Sequence, residues 1–449
     1  MAVTRRLMTM AALTLAVAPP AMAQEPAARE TLTVEEAVEL ALQHNRRVAL
    51  AAMDVERAEK KVDAARTRRL PSLELQAMAG TTLTPVRVTY PAGTFGSFPQ
   101  TGPIPAEDTV IEAPQALSGN VNATLAQPLT QLHRIGLNTK LNELSRDIEQ
   151  QKLREERAAV VAEVRGLYYQ LLQAESGLRA AEELVETYRE LDRVVVQQVA
   201  VEAALPSDGL EAKSHLATEE YKLAQLRGDL ATSRERINQL LGRDLEHEFS
   251  VVAVPEASLE EVDLGAAVAQ ALERRPDLAQ RRLAVEQADT DRRMKKAESI
   301  PDVSLAVTYV SFVNVDLVPS NIAMAGLQLK WEPFDWGRRG KEKAEKEIQV
   351  AQAKSSALEA ESQARIEVAH RFRRLQEARL LLEAERLGRD AAAERLRVMT
   401  SRHRVEAALV KDVLQAQAEM SAARTQYDAA LSTFWTARAD FQKAIGEEL

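Results

Sequence analysis

The chain has 449 residues, 45% of them hydrophobic, 28% charged and only 4% aromatic, with 17 glycines and 17 prolines. This Ala-, Glu-, Leu- and Arg-rich profile points to long helices rather than to an aromatic-cored enzyme. A net charge of −9 excludes a general nucleic-acid footprint, and the absence of cysteine excludes disulfides and thiolate-held zinc.

At the N-terminus, Arg5 and Arg6 precede the apolar run LMTMAALTLAVA, and AMA closes at Ala23. A charged start, a short apolar run and a small-residue cleavage site read as a secretory signal over residues 1–23. The run is too short to span a bilayer, and no cysteine follows it to carry a lipid. No later stretch approaches about 18 uninterrupted apolar residues, so no membrane-spanning helix is expected.

Beyond the signal the chain repeats itself. Ala37, Val38, Ala41, Leu42, Ala49, Val55, Glu56, Ala58, Pro71 and Leu75 all recur without a gap at an offset of 230 residues. A second block recurs at an offset of 204, where VEAAL at Val201 meets VEAAL at Val405, Asp208 meets Asp412 and Gly242 meets Gly446. Register kept across Pro, Gly and Asp positions argues duplication rather than shared alanine-rich composition. A period near 200 residues is too long for a solenoid and reads as two similar halves, 24–255 and 256–449. The first half carries about 26 extra residues, mostly in TPVRVTYPAGTFGSFPQTGPIPAEDTVIEAP, a Pro/Gly-rich loop.

Each half opens with a short helix and a second helix near 45–68 or 275–298, stopped by Pro71 or Pro301. Strands are expected at about 72–83, 118–128, 302–313 and 322–332, because apolar and polar residues alternate there. Leu73, Leu75 and Ala77 oppose Glu74, Gln76 and Met78; Val303, Leu305 and Val307 oppose Ser304, Ala306 and Thr308. After the strands come unpunctuated helical stretches, 132–200 and 341–404. In the first, Val164, Leu167, Leu171, Ala174, Leu178, Ala181, Val185 and Tyr188 step three, four, three, four, the spacing of a coiled-coil seam. Some 65 residues at about 1.5 Å each give a rod of about 100 Å, longer than any ordinary globular core. The rods turn at ALPSDGLEA, with Asp208 expected as helix N-cap and Asp412 in the same role in the second copy. Returning helices run to about 241 and 445.

Four strands with one apolar face cannot stand alone in lipid, where open edges cost several kcal/mol per unpaired backbone group. Three copies would supply twelve strands and close a barrel. The expected fold is therefore mainly α with a small β part: a trimeric α-barrel of long helical hairpins, continuous with a 12-stranded outer-membrane β-barrel.

The chain resembles the outer membrane efflux protein family, the TolC-like channels, over essentially its whole length after the signal. The resemblance is carried by LTVEEAVELALQHN at 32–45, PSLEL at 71–75, DLGAAVAQALERRPDLAQ at 263–280, IPDVSL at 300–305, WEPFDWGRR at 331–339 and the two turn phrases. It implies a homotrimer, a passive exit duct across periplasm and outer membrane in a tripartite efflux or type I secretion system. Its tip would dock on a periplasmic adaptor (a membrane fusion protein) that meets an inner-membrane pump. The family's tip reads Arg, Gly four later, then Asp six after that. Here Arg402 and Asp412 match, with Glu406 at the glycine position; in the first copy Gln198, Glu202 and Asp208 occupy those places. Acidic residues at the family's periplasmic mouth correspond to Asp412, with Glu211 near that position in the first copy. Asp208 and Asp412 would then form rings of like charge in a trimer.

Trp331, Phe334 and Trp336 gather at the end of a strand, where amphipathic rings suit headgroup depth, so outer-membrane lipid is the expected contact. Arg338 and Arg339, which open the next helix, read as solvated charge. The six histidines are scattered, with no HExxH pair and no Gly-rich phosphate loop, so neither catalysis nor a cofactor is expected. The competing reading is a periplasmic coiled-coil adaptor or scaffold without a pore. It calls for a β-domain of many short strands with glycine turns.

Overall fold

The computed structural model describes residues 30–81, 83–84, 86–113, 117–202, 205–254, 263–314, 319–405, 407–408 and 410–447. The secretory signal expected at 1–23 lies outside these residues, as does Glu406. In chain order the elements are β1 (Glu30–Leu32), α1 (Val34–His44), α2 (Arg46–Thr67), β2 (Ser72–Thr81), β3 (Val86–Tyr90), β4 (Ser97–Phe98), β5 (Gly102–Pro103), β6 (Thr109–Ala113), β7 (Leu117–Pro128), α3 (Leu132–Ala200), α4 (Pro206–Leu240), β8 (Phe249–Val251), α5 (Leu264–Arg274), α6 (Pro276–Ala297), β9 (Asp302–Val313), β10 (Asn321–Lys330), α7 (Arg338–Arg404) and α8 (Val410–Ala444).

The bounds of α1 and α2 return as α5 and α6 at an offset of 230, and α4 returns as α8 at 204. The local chemistry repeats too. Thr33 accepts from the Glu36 N–H at 3.2 Å, and the Glu36 carboxylate accepts from the Thr33 N–H at 2.9 Å, a capping box for α1. Asp263 caps α5 by accepting from the Ala266 N–H at 2.8 Å. After α4, the Gly242 N–H bonds to the Gln239 carbonyl and the Arg243 N–H to the Asn238 carbonyl; after α8, Gly446 and Glu447 do the same with Lys443 and Gln442. Both glycines sit at positive φ, 68° and 69°, as a left-handed helix ending requires. A Cβ on Gly242 would lie 2.3 Å from the His44 carbonyl oxygen, and one on Gly446 2.9 Å from the Arg275 nitrogen. Each corner between paired short helices therefore rests on the bare backbone of a glycine.

β2, β7, β9 and β10 form one antiparallel sheet in the order β10-β9-β7-β2. Its register aligns the alternating faces across all four strands. Leu73, Leu125, Val307 and Ala325 make one row, and Leu75, Ala123, Tyr309 and Ala323 the next. On the opposite face Glu74, Thr124, Thr308 and Met324 form a row, beside Gln76, Asn122, Val310 and Ile322. The segment expected as a loop is instead a second, smaller ribbon. β3 pairs with β6 and β4 with β5, so its β-branched and aromatic residues outweigh its prolines and glycines.

From the sheet, α3 runs 69 residues and α7 runs 67, each about 100 Å long. α7 begins at Arg338, three residues before the expected 341, because Gly337 takes the left-handed φ of 80° that ends the preceding loop. Along the expected seam of α3, Val164, Leu171 and Val185 are buried and Leu167, Ala174 and Leu178 half-buried. The returning helices α4 and α8 cover only the far half of each rod, at 35 residues apiece. The near half is covered by α2 and α6.

Two apolar clusters sit at mid-height. One joins Leu32, Val38, Val164, Leu171, Ile237 and Phe249; the other joins Ala271, Val368, Leu375, Phe434 and Phe441. Trp435 packs against both. Tyr168 ties the first cluster to the parallel β1–β8 ribbon. Its hydroxyl lies 2.8 Å from the Leu32 carbonyl, 2.8 Å from the Val252 carbonyl and 2.9 Å from the Val252 N–H, which donates to it. Burial pushes this phenol up to about 12.

Candidate functional site

The tips lie at the far ends of the two long helices. Both α3 and α7 leave the same sheet, so both turns stand about 100 Å from it. At the first tip the chain leaves α3 through Val201 and Glu202, the latter at a φ of 61°. Asp208 is not the N-cap expected of it. Pro206 takes the first helical position, where its missing N–H costs nothing, and Asp208 falls two residues later. Its carboxylate reaches back to accept from the Leu205 N–H at 3.1 Å. Glu211, one turn on, approaches His215 at 3.7 Å, and His215 stacks on Tyr188 of α3 at 5.8 Å.

At the second tip the Arg402 carbonyl accepts from the N–H groups of Val405 and Ala407, at 3.2 and 2.9 Å, closing α7. Asp412 is likewise inside its helix, which begins at Val410, rather than at its cap. Glu202, Asp208, Glu211, Arg402 and Asp412 are all solvent-exposed. The fold thus collects Glu202, Asp208 and Glu211 at one turn and Arg402 and Asp412 at the other. Among the described residues no cluster of His, Asp or Glu has the makings of a metal site.

At the sheet–helix junction Trp331, Phe334 and Trp336 are exposed, Trp336 to 88%, and the last two rings meet edge-on at 4.8 Å. Trp336 holds a φ of 55°, a left-handed conformation that costs a bulky residue energy. Asp335 secures the turn by accepting from the Gly337 N–H at 3.1 Å and the Arg339 N–H at 3.0 Å, and the Arg339 amide is the chief reason its carboxyl is held below the ordinary value. Arg338 and Arg339 are not simply solvated. Both reach Glu332, at 2.7 and 3.2 Å, and Arg338 also reaches Glu342 at 3.3 Å. Leu70, Leu129, Leu132 and Ile300 are exposed at the other three strand–helix junctions.

The lateral edges of the protomer are unequal. α3 packs against α2 and α4 and, in addition, against α6 and α8. α7 packs extensively against α5, α6 and α8 alone. Residues matched at 204 show the consequence. Leu144 of α3 is 1% exposed, whereas Ile348 of α7 is 60% exposed. Ser176 is buried and donates to Asp428 of α8, whereas its counterpart Leu380 is 72% exposed. The sheet ends in the same sense, with β2 on the α2 side and β10 on the α7 side. Sequence reasoning expected the open edges of the sheet but did not identify the Tyr168 contacts, the β3–β6 ribbon or the uncovered side of α7. Only the β-branched residues of the ribbon gave a readable signal.

The outer membrane efflux protein family profile matches residues 37–243 and 267–447, the two halves in turn. No curated protein sequence matches the chain. Among solved structures, the outer-membrane channel OprN covers 92% of the chain with 89% of its own, at 19% identity and a TM-score of 0.71. The Campylobacter jejuni CmeC outer membrane channel covers 92% with 85% of its own, at 15% identity and a TM-score of 0.72. The Neisseria gonorrhoeae MtrE outer membrane channel, in an open state, covers 92% with 88% of its own, at 16% identity and a TM-score of 0.68. At these identities the likeness is one of fold.

Proposed function

The chain belongs to the outer membrane efflux protein family and is an outer-membrane channel for efflux, and from that premise we propose that three copies close into one continuous duct. The sheet, four strands per copy, closes as a 12-stranded barrel in the outer membrane, and the helices close as a tunnel across the periplasm. The observation that carries this reading is the shared sense of the open edges. β10 and α7 are uncovered on one side, β2, α2 and α4 on the other, so a head-to-tail rotation pairs them all at once.

The duplication supplies the residue pairs of that seam. Within the chain, α3 meets α6 and α8. Moved by 204 along α3 and α8 and by 230 along α6, the same contacts become α7 against the α2 and α4 of a neighbouring copy. Leu380, the counterpart of Ser176, then faces Ala224 of the next protomer, the counterpart of Asp428. Ala224 is exposed in the single chain. The buried Ser176–Asp428 pair becomes an apolar one at the seam.

In this assembly Glu74 and the polar rows line the bore, and the leucine rows face lipid. Trp331, Phe334 and Trp336 sit at the periplasmic headgroups. Asp208, Glu211 and Asp412 ring the far mouth, and Arg402 and Glu202 form the rim offered to a periplasmic adaptor that meets an inner-membrane pump. A pore-less periplasmic scaffold is not favoured by the family or by the channel-like neighbours. Planar-bilayer recording tests the duct. The purified protein should conduct, and Asp412→Ala should raise conductance or relieve block by multivalent cations. A protein that carries no current contradicts the duct; an unchanged current in the variant contradicts the acidic mouth alone.

A further inference from the structure

A cavity of about 450 Å³ opens where the two halves of the chain meet. Its walls come from both halves: α1 and α3 on one side, the α5–α6 corner, α7 and the end of α8 on the other. Leu42, Val161, Pro276 and Ala444 give it an apolar floor, in which Val161 and Ala444 are buried. Five cationic side chains and four carboxylates stand around that floor. Arg275 is engaged by Asp277 at 2.9 Å and Glu367 at 2.8 Å, and it donates to the Ala444 carbonyl at 3.1 Å. Glu155 accepts from Gln280 at 2.7 Å. Arg157, Arg274 and Lys443 are exposed, and their side chains enter no ion pair or hydrogen bond among the described residues.

The duplication separates the cation that the fold uses from those it does not. Moved by 230, Arg275 becomes Asn45, and moved by 204, Ala444 becomes Leu240. Asn45 donates to the Leu240 carbonyl at 2.8 Å, so the bond from Arg275 to Ala444 is the same corner bond made twice. Arg274 and Lys443 become His44 and Gln239, and Arg157 becomes Glu361. The first corner closes on Gly242 without an arginine or lysine at either place, and α7 runs unbroken through Glu361. The fold therefore does not need the three unengaged cations that line this cavity. Two of them are guanidinium groups, which grip a carboxylate or sulfonate through paired N–H donors. Arg157 stands 25 residues into α3, about 40 Å from the sheet and beyond the reach of lipid headgroups. We infer that the cavity binds a small soluble organic monoanion, a carboxylate or sulfonate on an apolar body, with the acid at Arg157, Arg274 and Lys443 and the body on the floor. The cations exceed the carboxylates by one, which matches a single negative charge. Every lining residue belongs to one chain, so the site does not depend on the trimeric duct.

Naphthalene-2-sulfonate is the probe, titrated by calorimetry into the whole protein in a nonionic detergent. It should bind saturably, one molecule per chain, and weaken as salt is added. Naphthalene-2-methanol and 2-naphthylmethylammonium, with the same rings and no acid, should bind about ten-fold or more weakly. A variant carrying the residues found at the matched positions, Arg157→Glu, Arg274→His and Lys443→Gln, should lose about ten-fold or more in affinity for the sulfonate. Each single substitution, in a protein whose helical circular dichroism is unchanged, should weaken binding in the same direction. No saturable binding to the wild-type protein overturns the inference. So does equal binding of the three naphthalenes, or an affinity that the substitutions leave unchanged. None of these results bears on whether the protein conducts.

Discussion

One hydroxyl serves three backbone groups at Tyr168, which makes this side chain the clearest single test of how the helical rods are tied together. Tyr168→Phe keeps the ring and strands the Val252 carbonyl, while the Val252 N–H and the Leu32 carbonyl lose one of their two partners and keep their 3.2 Å bond to each other. The expected loss is about 1–3 kcal/mol, read by thermal unfolding of the detergent-solubilised protein through its helical circular dichroism. The pH dependence has a definite sign. The folded phenol titrates at about 12 against an ordinary value of 10.0, so the fold favours the protonated form. Its contribution is complete below pH 10 and is lost as pH rises towards 12, and the gap between wild type and Tyr168→Phe should narrow over that window. A gap that widens there, or is absent at neutral pH, contradicts the bond network. Nothing in the sequence singles out Tyr168 from Tyr169 beside it; only the β1–β8 ribbon, more than eighty residues away at Val252, gives it a role. Asp208 shows the opposite case. Its place at a helix start is written in PSDG, but the cap position was misread because Pro206 already occupies the first turn. Gly242 and Gly446 were legible as matched positions, and the backbone contact at each explains why neither admits a side chain.

Among the elements, alternation makes the sheet readable and fails at the ribbon beyond it. Strands β2, β7, β9 and β10 carry a period of two, the pattern that the proposed barrel, with one face to lipid and the other to water, would impose. The ribbon β3–β6 has no such environment, and its turns are rich in proline and glycine, so it reads as loop. The helices are readable for a different reason. A rod needs a seam along its whole length, and a seam writes itself into the sequence every three or four residues. The arginines near the short-helix corners mark the limit of that logic. Arg47 reaches Glu163 at 2.7 Å and Arg275 reaches Glu367 at 2.8 Å. The two glutamates match at 204, but the two arginines do not match at 230, so the ion pair recurs in space without recurring in register. The junction aromatics belong to this scale as well. The chain has three tryptophans, at 331, 336 and 435. With Trp435→Phe in place, fluorescence from Trp331 and Trp336 should be quenched strongly by lipids brominated near the headgroup. Trp435 alone, packed between the two core clusters, should be quenched weakly. Equal quenching of both variants contradicts an interfacial belt.

For the whole molecule, the proposed assembly is argued from the duplication. In that proposal a chain of two similar halves has already built one copy of the interface it would present to its neighbour. The inner seam, α3 against α6 and α8, would be the template for the outer one. What the sequence does not write is which of two matched positions is covered, because Leu144 and Ile348 are equally apolar and only the fold leaves one of them bare. The rods, about 100 Å long, would find a use for that length as the wall of the proposed tunnel. The most direct test joins the two edges covalently. In a variant carrying Leu380→Cys and Ala224→Cys, mild oxidation of outer-membrane fractions should give a disulfide-linked trimer on a non-reducing denaturing gel. A product that remains monomeric under oxidation, with both thiols free, would contradict the closed ring.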